Sequence, residues 1–295
     1  MTVQKSNLTI RNTSFTWGTQ AYVMGIINVT TDSFSGDGTL VTEGDWCEVS
    51  CAQGEQFVRD GAHILDVGGE STRPGSVPVS TEEELARVLP VISALATRVT
   101  VPISVDTIKP EVARQALQAG ASLLNTVADV RVTPQLLQVA HEFGVPIIIT
   151  HNRSNEKNLH IDPQLGGRYE GIVYTDVVAD VGAYLMELVQ LGLAVGIPHE
   201  HIILDPGIGF GKTTEQNLQL IKYLEHITNM GYPVLVGPSR KSFLGYKLNL
   251  PKEERLEATI AAAVLSAERG ADIVRVHDVK AIVRALALTD AVLRV

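Results

Sequence analysis

The chain has 295 residues, 45% apolar and only 5% aromatic, so it can bury a large core that must be mostly aliphatic. A net charge of -9 argues against a nucleic-acid surface, which needs a basic face, and confines any bound phosphate to a local basic pocket. There is no run of about 18 apolar residues, and Met1-Thr-Val-Gln-Lys-Ser-Asn7 lacks a signal-peptide core, so a cytoplasmic protein is expected.

Residues 8–10 and 15–17 flank a polar Arg11-Asn12-Thr13-Ser14 turn and predict a short N-terminal hairpin. A rhythm then begins, with β-branched runs alternating with segments of helical period. Strands are predicted at about 22–29, 63–67, 101–106, 122–125, 145–150, 201–205, 233–237 and 272–276. Helices are predicted at about 43–60, 81–98, 110–119, 134–143, 174–191, 215–230, 253–269 and 279–293. Gly61-Ala62, Gly120-Ala121 and Gly270-Ala271 suit helix C-caps leading into strands. Cys47 and Cys51 lie four apart with no neighbouring partner at metal-ligand spacing, and read as reduced structural thiols.

Eight strand–helix pairs without a composition break fit a single (β/α)8 TIM barrel spanning 1–295. A doubly wound open sheet is the competitor, but it carries phosphate glycines after its first strand. Here that turn reads Asn28-Val-Thr-Thr-Asp-Ser-Phe34, which favours the barrel.

A barrel gathers the C-terminal ends of its strands on one face. Those ends carry Asn28, Asp66, Asp106, Asn125, His151, Asp205, the Ser239-Arg240-Lys241 group, and Arg275 with His277. Asp and Asn also serve as caps and turn formers, but a polar residue at every end points to a shared site. Asp106, Asn125 and Asp205 suit the donor-rich edge of a flat heterocycle, with Lys241 on its carbonyl edge. Arg73, Arg275 and His277 with Asn28 suit an anion or pyrophosphate pocket, where Mg2+ could join phosphate oxygens to the Asn28 amide oxygen. A helix starting near Ser242 would add free N–H groups beside the basic turn.

Asp205-Pro-Gly-Ile-Gly-Phe-Gly-Lys-Thr213 resembles a phosphate loop but is one residue short of the P-loop spacing, and it also misses the dinucleotide pattern. Its glycines are expected to let the backbone approach a flat ligand, with Phe210 as a stacking wall. The long polar loops at 28–44 and 68–80, bearing Asp32, Phe34, Arg73 and Pro74, are read as lids.

Six blocks, in order, resemble the signatures of the dihydropteroate synthase family. They are Asn28–Phe34, Asp66-Val-Gly-Gly-Glu-Ser-Thr-Arg-Pro-Gly75, Val105-Asp-Thr107, Asp205–Lys212, Ser239-Arg-Lys-Ser242 and Arg275-Val-His-Asp278. The resemblance implies a dimeric TIM barrel joining 6-hydroxymethyl-7,8-dihydropterin pyrophosphate to p-aminobenzoate. It implies Thr72, Asp106, Asn125, Asp205 and Lys241 on the pterin, and Asn28 (with Mg2+), Arg73, Arg275 and His277 on the pyrophosphate. Phe34, Pro74, Phe210 and Ser242 would bind the aminobenzoate, with Ser239 and Arg240 also at the substrates and Asp32 ordering a lid or taking a proton. Departures stand at Thr31, Ser35-Gly-Asp-Gly38, Thr126 and Thr150-His-Asn152. A methyltetrahydrofolate–corrinoid methyltransferase and a non-catalytic pterin-binding module are the alternatives. The first has no use for the basic groups Thr72-Arg73 and Ser239-Arg240-Lys241.

Overall fold

The β-branched runs become short parallel strands because their side chains are buried on both faces, between a barrel interior and a coat of helices. The computed structural model describes residues 5–29, 46–71, 75–128 and 133–293. Strands β1 (Leu8–Ile10) and β2 (Thr13–Phe15) form the N-terminal hairpin. The second strand begins two residues earlier than expected, because Arg11, at φ 52°, closes a tighter turn.

The sheet contains β3 (Tyr22–Asn28), β4 (Ile64–Gly68), β5 (Ile103–Asp106), β6 (Leu123–Thr126) and β7 (Ile147–Thr150). After an excursion through β8 (Leu159–Asp162) and β9 (Gly166–Tyr169), it adds β10 (Ile202–Asp205), β11 (Leu235–Val236) and β12 (Ile273–Val276). The eight-stranded order is β10-β7-β6-β5-β4-β3-β12-β11, all parallel. A parallel bridge between Leu204 and Val234, with Leu204 N donating to Pro233 O at 2.9 Å, joins the two ends and closes the ring.

The hairpin plugs the bottom of this barrel. Leu8, Ile10, Phe15 and Trp17 pack with the inward Met24, Ile64, Leu123, Ile148, Ile203 and Ile273. The remaining apolar residues fill the layer between strands and helices. With the lower end sealed by side chains, the upper end is the one open to a ligand.

Helices Thr81–Arg98 and Val279–Leu293 fall on the expected bounds. The helix expected over 215–230 divides into Thr214–Lys222 and Glu225–Thr228. Tyr223 leaves the helical region, Arg269 Nε donates to the Lys222 carbonyl, and the restart buries Leu224 and Ile227. The β8–β9 hairpin lies between the strand predicted at 145–150 and the helix predicted at 174–191, where no element is predicted.

Among the described residues, Val177–Ala194 is the one helix long and apolar enough to cross a membrane. It carries Asp180 and Glu187, and it buries Val181, Leu185, Leu188 and Val189 in the layer outside the barrel, as a core helix does.

Candidate active site

Several strand ends carry polar side chains at or just below the open mouth, and the charges there pair across the ring. Arg275 on β12 donates from Nε to Asp66 Oδ2 at 2.6 Å and from Nη2 to Asp106 Oδ2 at 2.7 Å. Asn125 Nδ2 donates to the same Asp66 oxygen at 3.1 Å, which fixes the amide of a residue that is itself buried. Asp205 Oδ1 accepts from Gly207 N at 2.7 Å, while Thr150 Oγ1 lies 3.5 Å from its other oxygen. Asn28 Nδ2 sits 3.5 Å from His277 Nε2, and His277 Nδ1 is 3.0 Å from Ser239 Oγ.

Above this layer opens a cleft of about 520 Å³ whose walls include Asn28, Asp106, Phe210, Ser239, Lys241, Ser242, Arg275 and His277. Lys241 Nζ lies 4.3 Å from the Phe210 ring centre and donates to the Ile208 carbonyl. Asn125 and Asp205 belong to the same ring of strand ends, Asn125 joined to Arg275 through Asp66.

Burial dominates the electrostatics. It pushes Asp106 up to about 7 against the pull of Arg275, with Asp66 adding to the rise. Asp205 is raised by burial too, against Lys241. The Lys241 ammonium is brought down to about 8 by burial, and Asp205 resists the change. A mouth holding acids raised toward neutrality beside a lowered lysine is a ligand site by its chemistry.

The structure refines several expectations. Arg240 borders the cleft, but its guanidinium makes a two-pronged pair with Asp278, at 2.8 Å from Nε and 2.6 Å from Nη2. Its backbone is left-handed, φ 54°, with its N–H on Thr259 Oγ1 at 3.0 Å, so these contacts hold the turn at the cleft edge. His151 is buried away from the cleft, stacked edge-on to Tyr184 with ring centres 4.8 Å apart, and its Nδ1 is 2.9 Å from Lys212 Nζ. In the 205–213 loop Gly207 and Gly211 serve the protein's own packing, while Gly209 lines the cleft beside Phe210. A Cβ on Gly207 would come 1.9 Å from His151 O, and one on Gly211 2.3 Å from the Arg153 carbonyl carbon. Asp32, Phe34, Thr72, Arg73 and Pro74 lie outside the described residues.

Sequence reasoning gave Asp66 no part beyond a strand end, and it missed the wall formed by Ile161–Gly167 of the β8–β9 hairpin. The signal for the second was Asp162-Pro-Gln-Leu-Gly-Gly167, a turn-forming run between two short β-prone segments. For a metal, no group of three or more His, Cys, Asp or Glu exists among the described residues. The Asn28 amide nitrogen faces His277, so its oxygen is the atom to meet a hard cation. One protein oxygen fits a Mg2+ ion that takes its other ligands from phosphate and water.

The family of pterin binding enzymes matches residues 24–277. A dihydropteroate synthase from Bacillus subtilis (strain 168) is 45% identical over 271 residues, 92% of this chain and 88% of that one. A solved Xanthomonas albilineans dihydropteroate synthase with 4-aminobenzoic acid is 39% identical, with TM-score 0.86 over 100% of both chains. The same enzyme in complex with 7,8-dihydropteroate is 38% identical, with TM-score 0.83 over 98% of this chain and 100% of that one.

Proposed function

This chain belongs to the dihydropteroate synthase family of pterin-binding enzymes, and we propose how its cleft condenses 6-hydroxymethyl-7,8-dihydropterin pyrophosphate with p-aminobenzoate. The products are 7,8-dihydropteroate and pyrophosphate. The observation that carries the assignment of roles is the meeting of Asp106, Lys241, Arg275, His277 and Asn28 in one cleft, with Asn125 and Asp205 in the same ring.

Asp205 and Asp106 accept from the donor-rich edge of the pterin, Asn125 gives and receives, and Lys241 donates to the ring carbonyl. Asp66 and Asp106 hold the Arg275 fork in place, and Nη1, which makes neither of those bonds, is the donor for a phosphate oxygen. The pterin C–O bond to pyrophosphate breaks and leaves a cationic methylene, while Arg275 and His277 (joined by Arg73) stabilise the departing negative charge. Asn28 would hold Mg2+ through its amide oxygen, and the ion would supply further charge neutralisation at the diphosphate. The p-aminobenzoate ring stacks on Phe210 with its carboxylate beside Ser242, and its amine nitrogen attacks the methylene; the family resemblance adds Phe34, Pro74 and Thr72 to the substrate-binding groups. The new C–N bond forms and the amine proton leaves; because an aniline is weakly basic, Asp32 or water suffices to take it.

The test is pyrophosphate release from the pterin pyrophosphate with and without p-aminobenzoate. Release that needs both supports the reading, and tight pterin binding with no release overturns it in favour of a binding module. We also read the chain as one domain that works as a cytoplasmic homodimer. Family membership supports this, and sedimentation of the purified protein tests the dimer.

A further inference from the structure

One wall of the cleft comes from outside the strand ends. The tip of the β8–β9 hairpin, Asp162 to Gly167, lines it next to the basic turn. The tip is locally rigid: Asp162 Oδ1 accepts from Gln164 N and Leu165 N, both at 2.8 Å, and Gly166 takes the left-handed φ of 84° that such a turn requires.

Two side chains from elsewhere in the fold hold this tip by its backbone. Tyr246 Oη donates to Gly166 O at 2.9 Å, and Arg255 Nη2 donates to Leu165 O at 3.0 Å. Arg255 is only 3% exposed, and its remaining donors reach Leu250 O and, through Nη1 at 3.1 Å, the carbonyl of Arg240. A single planar guanidinium therefore fixes the spacing between the hairpin tip and the turn that carries Lys241 and Ser242. The fit is close on both flanks. A methyl on Gly166 would sit 3.8 Å from Ser242 Cβ, and one on Gly75 would strike Ile161 Cδ1 at 2.5 Å.

We propose that the hairpin tip is a specificity wall for the arylamine substrate, and that Tyr246 and Arg255 are positioning residues that set its distance from Ser242. The wall is backbone at Leu165–Gly167, so it cannot retract as a side chain could. It limits how large a para substituent fits beside Ser242. This rests on the dihydropteroate synthase reading of the cleft. The Tyr246 hydroxyl bonds the hairpin tip and not the turn that carries Lys241, so its loss should be felt by the arylamine; Arg255 also holds the carbonyl just before Lys241, so Tyr246 is the cleaner probe.

Tyr246→Phe removes one hydroxyl and one hydrogen bond, a loss on the scale of about fivefold in an equilibrium constant. Steady-state pyrophosphate release would be measured with p-aminobenzoate and with the longer p-aminobenzoylglycine. The expected result is a p-aminobenzoate KM raised about fivefold. With it, the kcat/KM preference for p-aminobenzoate over p-aminobenzoylglycine falls about as much, while kcat and the pterin pyrophosphate KM stay within about twofold. Arg255→Lys keeps the charge but loses the fork, and should move the same preference in the same direction. If it does not fold, Tyr246→Phe carries the test alone. A preference unchanged in Tyr246→Phe, or both KM values rising together, overturns the proposal. A wild-type protein that releases no pyrophosphate with either arylamine overturns the parent reading instead.

Discussion

Lys212→Met tests whether the loop that carries Phe210 is held by a buried lysine. Lys212 is 2% exposed, and its Nζ donates to Gly207 O at 2.8 Å and Phe210 O at 2.9 Å while meeting His151 Nδ1 at 2.9 Å. Burial pushes its ammonium well below the usual lysine range, and also brings His151 down to about 2, so that the imidazole is neutral. Methionine is unbranched and one heavy atom shorter, so only the space of the ammonium opens, and the change falls mainly on the polar contacts. Each stranded buried acceptor costs about 1–3 kcal/mol. Three partners are left behind, and relief from burying an amine offsets part of the loss. The net expectation is about 2–4 kcal/mol of lost stability. With urea slopes of about 1–3 kcal/mol per molar, the midpoint should fall by about 0.7 M or more. Urea unfolding followed by circular dichroism measures it, and the p-aminobenzoate KM should rise because Phe210 loses its anchor. A midpoint equal to or above wild type would refute the reasoning, because the lysine would then be costing the fold more than its contacts return.

Pterin affinity should be greatest between about pH 7 and 8, measured by calorimetry across the range. Asp106 must shed its proton, near 7, to accept from the ring, and Lys241 must keep its own, lost near 8, to donate. Asp106→Asn should weaken the acid limb, which Asp205, also raised by burial, keeps in part, and should leave the alkaline limb in place; an affinity independent of pH in the wild type would contradict the Asp106 and Lys241 roles. Lys241→Met should weaken pterin binding by about tenfold or more, since a buried carbonyl loses a charged donor; binding within twofold of wild type in calorimetry would remove Lys241 from the pterin. Chelation with EDTA should slow pyrophosphate release and added Mg2+ should restore it, with Asn28→Ala needing more Mg2+ for half-maximal rate. An unchanged Mg2+ requirement in that variant would remove Asn28 as the ligand.

The alternation of short β-branched runs with helical segments was enough to foresee the barrel, because both periods are local properties of the chain. The same holds for most of the polar strand ends, because the C-terminal end of a parallel strand in a barrel lies near the open face. The N-terminal hairpin was equally legible, though nothing local showed that Phe15 and Trp17 would stopper the barrel. Partnership at the mouth was decided only by the tertiary structure. Arg275 and Asp66 are 209 residues apart and meet because β12 and β4 lie on either side of β3. The same closure placed Arg240 on Asp278, turned His151 toward Lys212, and brought Arg255 to the hairpin tip 90 residues before it. Local chain chemistry determines which element a residue joins, but a charge chooses its partner by distance in space, and that distance exists only once the ring has closed.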